Sequence, residues 1–132
     1  MIYLSKTHHF SFYVGCGHST NTRAELMALW SVLHVSILMG LPLKMIYGDS
    51  KVVISWVNRI STLDVPTLKH WCDEIISMLR MTPPVSINHI YREHNTLADG
   101  LSKKALLLDM GIGYYTKTMD GLDIGYGHIT LF

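Results

Sequence analysis

Pro66 and the pair Pro83-Pro84 bracket a stretch in which Leu68, Trp71, Cys72, Ile75, Ile76 and Leu79 recur at i, i+3, i+4, i+7, i+8 and i+11. That is one face of a helix, with Pro66 suited to its first turn and Asp73 and Glu74 turned to solvent. A one-sided helix is stable only against another apolar surface, so this chain needs a layered core. Upstream, Leu26 to Leu43 is apolar on nearly every side. Ser31, His34, Ser36, Gly40 and Pro42 interrupt it, which predicts a largely buried helix ending near Gly40 rather than a membrane span.

Strands are expected around these helices. Met1 to Ser5 and Phe10 to Val14 read as a hairpin joined by Lys6, Thr7, His8 and His9, followed by a turn-rich stretch from Gly15 to Thr22. Thr22-Arg23-Ala24-Glu25 has capping-box spacing before the first helix. Leu43 to Tyr47 reads as a strand ending at Gly48-Asp49-Ser50, where Ser50 can cap a helix running to about Asn58. Val85 to Tyr91 reads as another strand, and Asn95 can cap a last helix carrying Asp99. Beyond Leu108 the periodicity dissolves into a Gly- and Tyr-rich stretch, 109–132, which reads as an ordered or partly ordered extension with no assigned role. The order strand, strand, helix, strand, helix, helix, strand, helix implies an α/β layer structure with a mixed sheet.

Composition bounds what such a domain can do. At 132 residues, with 48% hydrophobic and 16% charged, one globular core is expected. A net charge of +1 supplies no bulk attraction for nucleic acid, so any binding needs a locally arranged groove. Cys16 and Cys72 fit no zinc-ligand spacing and are expected to pack as small apolar residues. Lys6, His8 and His9 break up any signal-peptide apolar region, which makes a cytosolic or nuclear setting the default.

Three carboxylates stand at expected element boundaries: Glu25, Asp49 and Asp99. Each has an ordinary explanation. Glu25 fills the third position of a capping box, while Asp49 and Asp99 lie near helix N-termini, where negative charge is favourable. Asp49 also falls at the carboxyl end of a strand feeding a helix, the usual ligand position in open α/β sheets. Asp64, Asp73, Glu74 and Glu93 read as solvated charges, and Asp109, Asp120 and Asp123 sit among glycines too flexible to preorganise a ligand. Local rules do not explain why all three acids occur inside longer matching sequences.

Those sequences are Thr20-Asn21-Thr22-Arg23-Ala24-Glu25-Leu26-Met27-Ala28-Leu29, then Gly48-Asp49-Ser50, then Arg92-Glu93-His94-Asn95 leading to Ala98-Asp99-Gly100-Leu101-Ser102-Lys103. Together they resemble the type 1 ribonuclease H domain, above all its plant, retroelement-related, reverse transcriptase-like branch. The resemblance implies an α/β fold: a ribonuclease H-like mixed sheet flanked by helices, in a domain spanning 1–108. It places Glu25, Asp49 and Asp99 in three of four acidic positions around two Mg²⁺ ions. Hard divalent cations prefer carboxylate oxygens, and a pair roughly 3.5 to 4 Å apart activates water and stabilises the leaving oxygen of a phosphodiester.

The implied substrate is an RNA:DNA hybrid. Asn21 would approach its minor groove, where the ribose 2′-hydroxyl marks RNA, with Thr22 standing where a second Asn is common. Ser50, Arg92 and Asn95 are the further nucleic-acid contacts, and His94 is the candidate proton shuttle in a shortened loop. Ile60 to Val65 lacks the basic, Trp-containing protrusion of some relatives, so hybrid binding is expected to be weak and salt-sensitive, with Lys51, Lys69, Lys103 and Lys104 as available cations. The family's first strand, which carries the fourth acid and lies centrally, should precede the hairpin. Here Met1 falls inside the second strand, so the fold is expected to be N-terminally truncated, with an exposed ladder edge and reduced or absent Mg²⁺-dependent cleavage. The alternatives are a non-catalytic nucleic-acid-binding or interaction module, and an incomplete gene fragment.

Overall fold

The computed structural model describes residues 2–3, 7–15, 21–41, 43–105 and 108–132, and leaves Lys6, Cys16, Thr20 and Pro42 outside the described residues. It divides into two units, Ser19–Asn95 and Met1–His18 with Thr96–Phe132.

In the first of these, the proline-bracketed periodicity becomes helix α3, Pro66–Met81, with Cys72 and Ile75 buried. It packs against α1, Asn21–Met39, and α2, Lys51–Val57. Leu26 and Leu33 of α1 and Ile75 of α3 are wholly excluded from solvent, and each such side chain contributes about 1.5–3 kcal/mol of hydrophobic stabilisation. The Trp30 ring stacks on His34 at 4.7 Å and meets Trp71 edge-on at 5.6 Å, joining α1 to α3. Ser31 and Ser36 are tolerated inside α1 because their hydroxyls donate to the Met27 and Leu33 carbonyls at 2.7 and 2.8 Å.

The end of α1 follows from Gly40. Its φ of 65° turns the chain left-handed, so that Leu41 N–H donates to the Ser36 carbonyl at 2.8 Å and Gly40 N–H to that of Ile37 at 3.2 Å. This is the Schellman arrangement, which satisfies carbonyls the helix cannot. Strand β3, Met45–Gly48, then pairs in parallel with β4, Ser86–His89, with Ile46 opposite Ile87. Asn58 at the end of α2 donates to the Ile87 carbonyl at 3.0 Å, fixing that helix to β4.

One local expectation fails. Helix α1 is already formed at Asn21, so Thr22 is not its cap and Glu25 is not the third residue of a capping box. The spacing Thr-x-x-Glu occurs equally inside a helix, where residues three apart share a face.

The other unit holds β1, Ile2–Tyr3, β2, His8–Val14, α4, Thr96–Ala105, β5, Ile112–Met119, and β6, Leu122–Thr130. Its sheet runs β1-β2-β5-β6 and is antiparallel throughout, and α4 packs against β2. The hairpin expected at the N-terminus is present, with Ile2 opposite Phe10 and Tyr3 opposite His9. The tail is ordered, with Ile112–Met119 and Leu122–Thr130 as two strands that the sequence reading did not assign. Asp120 and Gly121, with φ of 52° and 77°, make the tight turn between Met119 and Leu122. An Asp-Gly pair with both residues left-handed is the preferred two-residue hairpin connection. The glycines are held by pairing, since Gly113 lies opposite Ile129, Gly127 opposite Tyr115 and Gly125 opposite Lys117. No helix among the described residues is long and apolar enough to cross a membrane.

Candidate functional site

Asp49 follows β3 directly and is partly buried between Gly48 and Ser50. Ser50 is extended at φ −91° and ψ 97°, and its hydroxyl accepts from Val53 N–H at 3.4 Å, capping α2 as the sequence predicts. Because Ser50 performs the capping, Asp49 is left one residue outside the helix, at the strand's carboxyl end.

Glu25 lies within α1 rather than in its first turn, and is partly buried. It lines a recess of about 90 Å³ with Ala28, Leu29 and Val32 of the same helix. These four positions follow the i, i+3, i+4, i+7 series, so the helical face that builds the recess is readable once the helix start is known. The far wall comes from Ile46 and Gly48 of β3, Ser50, Val53 and Ile54 around α2, and Ile87 of β4. Folding therefore brings the Glu25 face of α1 together with Gly48 and Ser50, the two residues flanking Asp49, over an apolar floor.

Asn21 is exposed and Thr22 partly buried; they lie one turn ahead of Glu25, at i−4 and i−3, on the same side of α1. Arg92–His94 forms a 3₁₀ turn in which His94 N–H donates to the Tyr91 carbonyl at 2.9 Å and the His94 ring is exposed. Asn95, partly buried, directly precedes α4, and Asp99 is the fourth residue of that helix. The side chains of Asp99 and Arg92 lie outside the described residues.

Among the described residues no group of three His, Cys, Asp or Glu side chains comes together as a metal site. Glu25 shares its recess with Gly48 and Ser50, which flank Asp49, and both acids offer carboxylate oxygens, which suit a hard divalent cation rather than zinc or copper. Cys72 is buried, and burial first, then the neighbouring Asp73, pushes its thiol above the usual range, against a smaller opposing effect of Arg59. It is a packing residue, as its spacing implies; Cys16 lies outside the described residues. Asp64, Asp73 and Glu93 are exposed, and Glu74 lies 3.5 Å from His70.

The fold is ribonuclease H-like. It is similar to RNase H1 from the halophilic archaeon Halobacterium salinarum NRC-1, with 29% identity, a TM-score of 0.65 and 68% of each chain covered. The N-terminal RNase H domain of a Mycobacterium tuberculosis protein, solved fused to maltose-binding protein, shares the fold at 16% identity and TM-score 0.65, covering 75% of this chain and 92% of that one. An RNase H1 isolated from compost by a metagenomic approach does so at 19% identity and TM-score 0.62, covering 77% and 96%. The class is thus an α/β, ribonuclease H-like domain. Residues 10–105 match the reverse transcriptase-like family model, and the chain belongs to that family. No curated protein matches it in sequence.

Proposed function

We propose that this chain binds RNA:DNA hybrids and carries, in reduced form, the endonucleolytic, Mg²⁺-dependent hydrolysis associated with the ribonuclease H-like fold, with Glu25, Asp49 and Asp99 as the acidic residues. The observation that carries the reading is the recess, where Glu25 of α1 faces the Gly48–Ser50 junction that bears Asp49. Neither acid has a capping role left to explain it, since Glu25 lies inside its helix and Ser50 caps α2.

When bound, Mg²⁺ supplies a water of lowered pKa and neutralises charge on the leaving oxygen. Everything else falls to the chain. Glu25, Asp49 and Asp99 are the residues that would hold the cation through carboxylate oxygens, and the apolar floor beneath Glu25 would exclude competing water and strengthen local electrostatics. Asn21 and Thr22, one turn ahead of Glu25, meet the minor groove and its 2′-hydroxyls. Ser50, Arg92 and Asn95 bind along the strand, and His94 moves a proton at the departing oxygen. The 1–108 segment carries this activity, while 109–132 extends the sheet.

The test is cleavage of a labelled hybrid in Mg²⁺ by the chain and by Asp49→Asn. Cleavage that falls by about a hundredfold or more in the variant supports the reading. Equal rates would remove Asp49 from the mechanism. A non-catalytic binding module on the same fold is the second reading. Hybrid retention with no Mg²⁺-dependent turnover selects it.

A further inference from the structure

Strand β6 is the outer member of the β1-β2-β5-β6 sheet, nine residues long and paired on one side only, with β5. The ladder shows which backbone groups lie on its free side. Leu131 N–H donates to the Gly111 carbonyl at 2.8 Å, and in an antiparallel pair the residues that exchange hydrogen bonds alternate along each strand. Counted back in twos, Ile129, Gly127 and Gly125 turn their backbone groups to Gly113, Tyr115 and Lys117 of β5. The N–H and C=O of Thr130, His128 and Tyr126 therefore point away from the sheet, and among the described residues no strand meets them. An exposed edge of this length is ordinarily guarded by proline, lysine or a covering element. Leu122–Thr130 contains no Pro, Lys or Arg, and Leu122, Ile124 and Tyr126 are 70%, 52% and 83% exposed.

We propose that this edge is the interface between two copies of the chain, which pair β6 with β6 antiparallel about a two-fold axis at Tyr126. A row of alternating backbone donors and acceptors is satisfied in full by another strand, so the edge calls for polypeptide rather than nucleic acid. The strand's own pattern makes a second copy the partner. An isologous pairing matches the strand to itself, and full overlap of Leu122–Thr130 puts the axis at its middle residue, Tyr126. The backbone of Tyr126 faces outward, so its two copies exchange N–H···O=C bonds at the axis. Gly125 of one copy then lies opposite Gly127 of the other, which lets the backbones close without side-chain collision. His128 meets the Asp123–Ile124 bulge of the second copy. The register shift at Lys117/Thr118 keeps Asp123 on the face that carries Tyr126 and His128, so an imidazole approaches a carboxylate at both ends of the contact. Two four-stranded sheets become one, with the Tyr126 rings side by side at its centre. Such an edge contact is small beside the roughly 1,600 Å² of a standard interface, so association is expected at micromolar rather than nanomolar concentration. It uses neither the acidic residues nor the recess.

The test is sedimentation velocity of the full chain across the micromolar range, where the parent should pass from one copy to two as concentration rises. Tyr126→Lys and Tyr126→Glu each set like charges against each other at the axis and should weaken self-association by about tenfold or more. Mixed in equal amounts, the two variants should associate again, because the axis then brings Lys against Glu. Hydrogen exchange of the parent reads the same contact: the amides of Tyr126, His128 and Thr130 should be slowed at high concentration and not at low. Circular dichroism melts confirm that each variant is folded, and Ile60→Lys, exposed in the other unit, is the unaffected control. The exchange measurement needs no variant and decides alone if one melts early. A parent that stays single at every concentration, a dimer of unchanged strength in both charged variants, folded variants that fail to associate when mixed, or edge amides that exchange equally at all concentrations overturns the proposal.

Discussion

Gly111 donates its backbone N–H to the carbonyl of Gly15 at 2.7 Å, and Gly15 in turn donates to the Ile112 carbonyl at 2.9 Å. At the other end of β2, Asp120 N–H donates to the Thr7 carbonyl at 2.7 Å. The strand is therefore fastened at both ends to the tail hairpin, which makes 109–132 a structural part of its unit.

A methyl group at Gly15 would collide with the backbone carbonyl of Asp109 and come within 2.8 Å of that of Leu108. These are backbone atoms of one segment, which cannot rotate away as a side chain would. Gly15→Ala should therefore lose about 1–3 kcal/mol, as overpacked sites do. Urea unfolding followed by circular dichroism measures it, and stability equal to the parent would mean that the tail does not dock against Gly15.

The hairpin turn offers an independent check. Gly121, at φ 77°, meets nothing within 4 Å, so a larger residue there is penalised by backbone conformation alone. Gly121→Val should cost about 1–3 kcal/mol, whereas Asp120→Asn should be close to neutral because Asn tolerates the left-handed region. The comparison is made by thermal melts. Equal loss in both variants would point to side-chain contacts of Asp120 instead.

That turn also shows why the two strands of the tail were not assigned from the sequence. Its signal was local and strong, Met119-Asp120-Gly121-Leu122, but five glycines in the segment suggested looseness. Only the register reveals that Gly125 and Gly127 sit opposite Lys117 and Tyr115. Elements with helical periodicity or proline brackets were legible because burial repeats every turn, as at Cys72 and Ile75. The capping-box explanation of Glu25 failed, because Thr22-x-x-Glu25 cannot announce whether it lies at a helix end or inside. The convergence of Glu25 with Gly48 and Ser50 depends on packing between α1, β3 and α2, which no local pattern encodes.

Cys72 links packing to pH. Its thiol is raised by burial in the folded state, so the folded protein holds that proton at pH values where the unfolded chain has released it. The stabilisation is full below the ordinary thiol value of about 8.5 and is lost as pH rises toward the folded value. Cys72→Ala should flatten this alkaline decline in urea midpoints above pH 8.5, although it lowers stability at neutral pH by leaving a small void. A decline of unchanged slope in the variant would assign the pH dependence to other groups. In the parent, thiol reagents should modify Cys72 slowly in buffer and rapidly in urea.

Glu25 separates catalysis from structure most directly. It is partly buried and lines a recess with Ala28, Leu29 and Val32 of its own helix. Glu25→Gln keeps shape and hydrogen-bonding capacity but removes the charge. If the residue serves Mg²⁺, the variant should lose about a hundredfold or more in hybrid cleavage, since a metal-holding carboxylate acts chiefly in the transition state. Its melting temperature without metal should stay within about 2 °C of the parent, because a surface or half-buried charge swap with retained packing changes stability by only a few tenths of a kcal/mol. Added Mg²⁺ should raise the parent's melting temperature and leave the variant's unchanged, as expected for a ligand that binds only the folded, carboxylate-bearing state. A variant that instead unfolds early, with cleavage per folded molecule intact, would make Glu25 a structural residue of α1.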